Sequence, residues 1–254
     1  MMKSVILEEK DIYSGCLILV NKSQPFRGDE KAVMQKLAPA QVNYPDVLLE
    51  AKASYMLSQL MRELGVKDAI VPVSGFRPVQ EQRAIFEGSL KENGEAFTLK
   101  YVALPGHSEH QTGLAIDLAE KSDDIDFIRP HFPYEGICQS FRKLSSKYGF
   151  IERYQAGKEA ITGIGHEPWH FRYVGYPHAE LINRHGLTLE EYIDFIQDYP
   201  YEGKHLRFED GGRSIDVSYI KASAASETLV EVQDQIPYHI SGNNRDGFII
   251  TEWR

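Results

Sequence analysis

Two short stretches constrain this chain more than the rest of its sequence does. GHSEHQTGLAID, residues 106–117, gathers two histidines, a serine, two glycines and an aspartate, and GIGHEPWHFRYVG, residues 163–175, adds two more histidines and a glutamate. A fold that uses them together must bring distant segments side by side. His110 and Asp117 stand in His-x-x-Gly-x-Ala-x-Asp. A hydrolytic metal such as zinc takes three nitrogen or oxygen ligands and leaves a fourth position for water. His170 can supply the third ligand from the second stretch, which leaves Glu167 free as the base that activates the water. Gly113 and Ala115 then give room for backbone to pass close to the ion or the substrate.

Each residue alone has a bland reading, a hydrogen-bonded turn histidine or a capping aspartate, and only the combination favours a metal. A rival reading is literal: HEPWH satisfies H-E-x-x-H, in which two histidines one helical turn apart bind zinc. Gly163, Gly165 and Pro168 oppose a helix there, and WHFRYVG is aromatic and β-branched. His166 is therefore read as a neighbour of the site, and the expected set is His110, Asp117 and His170.

The 254 residues, 42% of them hydrophobic, can bury a substantial core. A formal charge of −9 without a basic cluster argues against nucleic acid as a partner. The N-terminal runs VIL and CLILV are too short for a signal peptide or membrane anchor, so a cytoplasmic location is expected. Cys16 and Cys138 lack metal or redox spacing and read as small hydrophobes in a reducing compartment.

Apolar spacing predicts a helix over 46–64, capped by Gly65, a strand over 69–75, and a helix that starts with Pro78. Strands are expected at 113–119, in GFIERY and in WHFRYVG, and helices at 137–148 and from Pro177 to Gly186. Thr188 and Glu191 suggest a capping box for the next helix. Residues 86–106 are polar and glycine-containing, as expected of a mobile loop beside the site. The plan is α+β, a small antiparallel sheet with packed helices. Beyond Tyr199-Pro200 the sequence alternates in period two, with Asp246-Gly247 as a hairpin turn, so 205–254 is expected as a small β appendage to a domain of residues 1–204.

Ser-x-His-x-x-Gly-x-Ala-x-Asp at 108–117 and Glu-x-x-Trp-His at 167–170 resemble the paired signatures of the zinc D,D-peptidases of the VanX, VanY and D-Ala-D-Ala carboxypeptidase family. SGFRPVQEQ at 74–82 is similar to that family's Ser-Gly-Tyr-Arg segment, with Phe76 for the usual tyrosine and Pro78 for a common serine. The resemblance covers roughly residues 15–200. It implies a hedgehog/D,D-peptidase-like fold, Zn2+ on His110, Asp117 and His170, and Glu167 as general base and acid. It makes Arg77 the cation that polarises the scissile carbonyl and stabilises the oxyanion. Ser108 would bind substrate near the terminal carboxylate, with a turn cap as its plain alternative, while Gln82 and Trp169 would serve as pocket walls or packing.

The activity so implied is hydrolysis of D-Ala-D-Ala, or removal of the terminal D-Ala from muramyl-pentapeptide precursors, which gives glycopeptide resistance. Carboxypeptidase-like motifs without an anchor point to the bifunctional VanXY type, and the extended C-terminus fits a VanG-like cluster. Two alternatives stay open: a cell-wall endopeptidase of the same family, and a non-catalytic hedgehog-like peptide-binding module. Oligomeric state and the metal loaded are not legible here.

Overall fold

The computed structural model describes residues 1–65, 68–223 and 227–254. Its helices are α1 (Glu30–Met34), α2 (Ala51–Glu63), α3 (Val79–Asn93), α4 (Glu95–Tyr101), α5 (Gly136–Ser145), α6 (Glu159–Thr162), α7 (His178–His185) and α8 (Leu189–Phe195). Its strands are β1 (Met2–Glu8), β2 (Leu37–Gln41), β3 (Tyr44–Glu50), β4 (Ile70–Ser74), β5 (Ala115–Glu120), β6 (Phe150–Tyr154) and β7 (Glu167–Tyr173). The later strands are β8 (Leu206–Asp210), β9 (Arg213–Lys221), β10 (Glu227–Gln233), β11 (Tyr238–Gly242) and β12 (Gly247–Trp253). The chain divides into two compact units, Val20–Thr188 and the pair of segments Met1–Leu19 and Leu189–Arg254.

The first unit is built on an antiparallel sheet in the order β4-β5-β7-β6. Helix α5 lays Phe141 against Phe171 of this sheet, and α2, with Leu57 and Leu60 buried, packs on α5 and on the β2–β3 hairpin. Phe132, Phe141 and Phe171 meet edge to face, with ring centroids 4.9 to 5.7 Å apart. Each such buried side chain contributes about 1.5–3 kcal/mol. This α+β plan is the one the periodicities predict.

Several boundaries differ from the sequence expectation. The helix expected from residue 46 begins at Ala51, because Tyr44–Glu50 pairs with β2 as a hairpin. Glu50 then caps α2, its carboxylate accepting from the N–H groups of Lys52 and Ala53. Residues 86–106, expected as a mobile loop, are mostly helical, in α3 and α4. The inward residues of α3 include Gln82 and Ser89, and Ser89 pairs with Thr98 of α4 at 2.8 Å. Polar residues here face inward, so hydropathy concealed the helices.

In the second unit, β11-β12-β9-β8 form an antiparallel sheet, and β1 pairs with β10 along its whole length. Leu7, Ile12, Val230, Val232, Phe248 and Ile250 form its core. The expected appendage of 205–254 thus corresponds to a larger unit. Tyr199 and Tyr201 hydrogen-bond the backbone of Tyr219 on β9, which ties the segment before residue 205 to the sheet. The turn expected at Asp246-Gly247 lies slightly earlier: Asn244 takes φ +60°, and the Asn243 carboxamide accepts from three following N–H groups. Among the described residues, no helix is long and apolar enough to cross a membrane.

Candidate metal centre

The register of the central sheet assembles the site. Asp117 on β5 lies directly opposite His170 on β7, and such partners share a face with Cβ atoms about 4.5–5.5 Å apart. Glu167, three positions before His170, would face the other way in a regular strand. Between β6 and β7, however, the register shifts: Glu152 opposes Phe171 while Tyr154 opposes Glu167. In this irregular stretch the Glu167 side chain reaches His170, with its Oε2 3.8 Å from His170 Nδ1.

His110 arrives from a different element, a single 3-10 turn spanning Glu109–Thr112. The Ser108 hydroxyl caps this turn, accepting from the His110 N–H at 3.4 Å. Gly113 ends it at φ +70°, a region disfavoured for side chains. A Cβ on Gly113 would lie 3.0 Å from Leu37 Cδ2 and 3.3 Å from the Glu50 nitrogen. The glycine therefore admits the β2–β3 hairpin, and the expectation that it makes room for an ion or substrate gives way to this packing reason. The Nδ1–H of His110 donates to the Gly75 carbonyl at 2.6 Å, which directs Nε2 inward. Gly75 is itself required, since a Cβ there would sit 2.2 Å from the Leu48 carbonyl oxygen.

Asp117 links the two imidazoles. Its Oδ2 is 3.2 Å from His110 Nε2 and its Oδ1 is 2.9 Å from His170 Nδ1. One donor atom from each of His110, Asp117 and His170 lies within 4.8 Å of the others, and all three residues are buried. Two imidazoles and a carboxylate that converge in this way fit a first-row divalent ion.

The electrostatics follow from burial and proximity. Burial would raise the Asp117 carboxyl, but His110 and His170 hold it well below the usual carboxylate range. Burial, with Arg77 nearby, pushes His110 down to about 4. Burial opposes protonation of His170 as well, yet its hydrogen bond to Asp117 and the nearby Glu109 carboxylate push it up to about 9. Burial pushes Glu167 up to about 8 against the attraction of His170.

The remaining expected residues line one open cleft of about 470 Å3 that also contains the three converging residues. Arg77 reaches in from the β4–α3 junction, with Nη2 3.9 Å from Asp117 Oδ2, and burial lowers its pKa. Ser108 lines the cleft while capping its turn. Gln82 does so while donating from Nε2 to the Ala103 carbonyl at 2.8 Å, and Trp169 forms part of the wall. His166 lies outside the converging group, its Nε2 2.7 Å from the Tyr134 hydroxyl. His107 bonds the Asn21 carbonyl at 2.8 Å.

Sequence reasoning passed over Glu109, Arg153 and Arg172. All three side chains are fully buried, and the carboxylate accepts from Arg153 Nε at 2.8 Å and Arg172 Nη1 at 2.7 Å. Their positions carry no spacing signal, because the three meet only through the sheet. Tyr154 was also missed, with its ring 4.8 Å from that of His170. Its register partner is Glu167, which no single strand reveals.

Comparison with known proteins gives this arrangement a lineage. The family model described as VanY, D-alanyl-D-alanine carboxypeptidase, matches residues 47–176, a span that runs from the β3 strand through the ends of β5 and β7. The chain is 45% identical over 181 residues to the bifunctional D-Ala-D-Ala dipeptidase and carboxypeptidase VanXYC of Enterococcus gallinarum, covering 71% of this chain and 94% of that protein. The structure of the D,D-dipeptidase VanXYg, in complex with a D-Ala-D-Ala phosphinate analogue, superposes with a TM-score of 0.97 at 50% identity over 100% of both chains. A VanY D,D-pentapeptidase variant from a VanB-type cassette, in complex with Zn(II), superposes with a TM-score of 0.55 at 29% identity, over 70% of this chain and 98% of that one. Since the match to VanXYC spans nearly all of that protein and the family model takes in the segments that carry His110, Asp117 and His170, the chain belongs to the VanY family of D-alanyl-D-alanine carboxypeptidases and is a peptidase.

Proposed function

We propose that this chain is a zinc D,D-peptidase that hydrolyses D-Ala-D-Ala and removes the terminal D-Ala from peptidoglycan-precursor pentapeptides, and that it thereby confers vancomycin resistance. The observation that carries this reading is the convergence of His110, Asp117 and His170 beside Glu167, in a chain whose relatives act on D-Ala-D-Ala. His110 Nε2, Asp117 and His170 Nδ1 would hold Zn2+, supported by their donor chemistry and by the Zn(II) in the VanY structure. When bound, zinc supplies a Lewis acid that polarises a carbonyl and acidifies water. Glu167 takes the proton of the attacking water and passes it to the leaving amine. The permanently charged Arg77 guanidinium donates to the oxygen on which negative charge grows. Trp169, Gln82 and Ser108 line the cleft beside these groups. The unit Val20–Thr188, in place of the expected 1–204, is proposed as the peptidase part of the chain, and the cytoplasm as its location.

Release of D-Ala from the dipeptide and from a muramyl pentapeptide, assayed with and without chelator, tests the proposal. Chelator-sensitive release from either substrate supports it, and the ratio sets the balance of the two activities. A zinc-loaded chain inert on both would overturn it. Binding without turnover would indicate a peptide-binding module, and cleavage of intact sacculi an endopeptidase.

A further inference from the structure

We infer that Glu109 is a positioning residue for the metal centre: it holds the His170 proton on Nε2, so that the Nδ1 lone pair faces the ion. The inference rests on the proposed metal site. Oε1 of Glu109 is committed to two cations, accepting from Arg153 Nε at 2.8 Å and from Arg172 Nη1 at 2.7 Å. Oε2 is buried and, within the structure, makes no hydrogen bond; the same holds for His170 Nε2. These two atoms face one another at 3.5 Å. Buried polar groups are almost always paired, and a small closure satisfies both at once.

The frame around the carboxylate is rigid for identifiable reasons. Arg153 lies on β6 and Arg172 on β7, two residues beyond His170, so both clamps belong to the sheet that carries the ligand. Glu109 itself immediately precedes His110 in the 3-10 turn. One ion triad therefore ties the segments of two proposed ligands together. The imidazoles also present opposite nitrogens. His110 spends Nδ1 on the neutral Gly75 carbonyl and offers Nε2, whereas His170 turns Nε2 to an anion and offers Nδ1. An anionic acceptor behind an imidazole fixes its tautomer and increases its basicity as a ligand.

Charge matters more than shape here. In Glu109→Gln, the carboxamide oxygen must serve the arginines, which can only donate, and its NH2 group is left facing His170. A donor there favours a lone pair on Nε2 and a proton on Nδ1, the tautomer that cannot bind the ion.

The test compares Zn2+ affinity of the full-length wild type and Glu109→Gln by competition with a chelating dye, together with 15N-histidine NMR of zinc-loaded wild type. The expected result is about 10- to 100-fold weaker zinc binding by a folded Glu109→Gln. The wild-type spectrum should show His170 protonated on Nε2 and coordinated through Nδ1. Equal affinity in the folded variant, or coordination through Nε2, would overturn the inference. If Glu109→Gln does not fold, the wild-type nitrogen spectrum decides alone. A wild type that binds no zinc removes the metal reading and this inference together, whereas equal binding by the two proteins removes only the inference.

Discussion

Glu167 shows how one buried carboxyl can serve chemistry at a cost to the fold. Burial raises its pKa from the ordinary 4.5 to about 8. Below about pH 4.5 both folded and unfolded chains hold the proton, and nothing is lost. As the pH rises towards 8, the unfolded chain ionises first, so the folded state is progressively penalised, in full above that value. Metal-free Glu167→Gln should therefore be more stable than metal-free wild type, by on the order of 1–3 kcal/mol at pH ~8 and by little near pH ~4.5. Melting curves taken in chelator across that range check this, and the same variant loaded with zinc should lose about 10²- to 10⁴-fold in kcat. Arg77→Lys should cost about 10²- to 10³-fold in kcat, with zinc content unchanged by elemental analysis, since a point charge replaces a planar donor fork. In the metal-free protein His170 holds its proton up to about pH 9, and a metal must displace the proton on Nδ1. Zinc affinity should accordingly climb by up to about tenfold per pH unit from roughly pH 7 to 9, which isothermal titration in buffers of different ionisation heat would resolve. At this scale the convergence of His110, Asp117 and His170 beside Glu167 was legible, because the four sit in two compact motifs. Glu109 was not, because a carboxylate next to a histidine signals nothing until two arginines from other strands close on it.

Elements were legible where periodicity and burial agreed, and illegible where buried polarity or pairing intervened. Strands β5, β6 and β7 followed their patterns, and so did the apolar stripe of α2. The start of α2 was missed because Val47, Leu48 and Leu49 run straight into its apolar stripe, while pairing with β2 makes Tyr44–Glu50 a strand. The helix expected from Pro78 is α3, but its second half and α4 were missed because Ser89 and Thr98 are buried polar groups that satisfy one another or backbone. The 3-10 turn that carries His110 ends on a glycine at φ +70° that is crowded by Leu37 and Glu50. Gly113→Ala should cost about 1–3 kcal/mol. Because the shifted turn carries a proposed ligand, the substitution should also weaken zinc binding; thermal melts and dye competition measure the two effects separately, and loss of neither would show that the turn tolerates an ordinary residue.

At the scale of the whole molecule, composition set an acidic chain and periodicity an α+β plan with a β-rich C-terminal region, but no local pattern could assign the first strand to that region. Strand β1 finds its partner in β10, and Leu7 and Ile12 enter the core formed with Val230, Val232 and Phe248. Deleting residues 2–8 should strip hydrogen-exchange protection from the β10 amides, read by mass spectrometry; unchanged protection would mean that the pairing does not hold β10 in place. The alternating pattern of β10 announced a strand, while the choice of β1 over any other edge is a long-range decision. That decision sets a timetable. On a ribosome adding about 5–20 residues per second, the opening strand waits roughly 10–45 s for the segment that will cover it. Throughout that interval Val5 and Leu7 have no sheet to enter, and Ile6, exposed even in the finished fold, stays available to passing chaperones or to other nascent chains. Residues 2–8 thus carry a demand during synthesis that the finished fold, with β1 paired to β10, no longer shows.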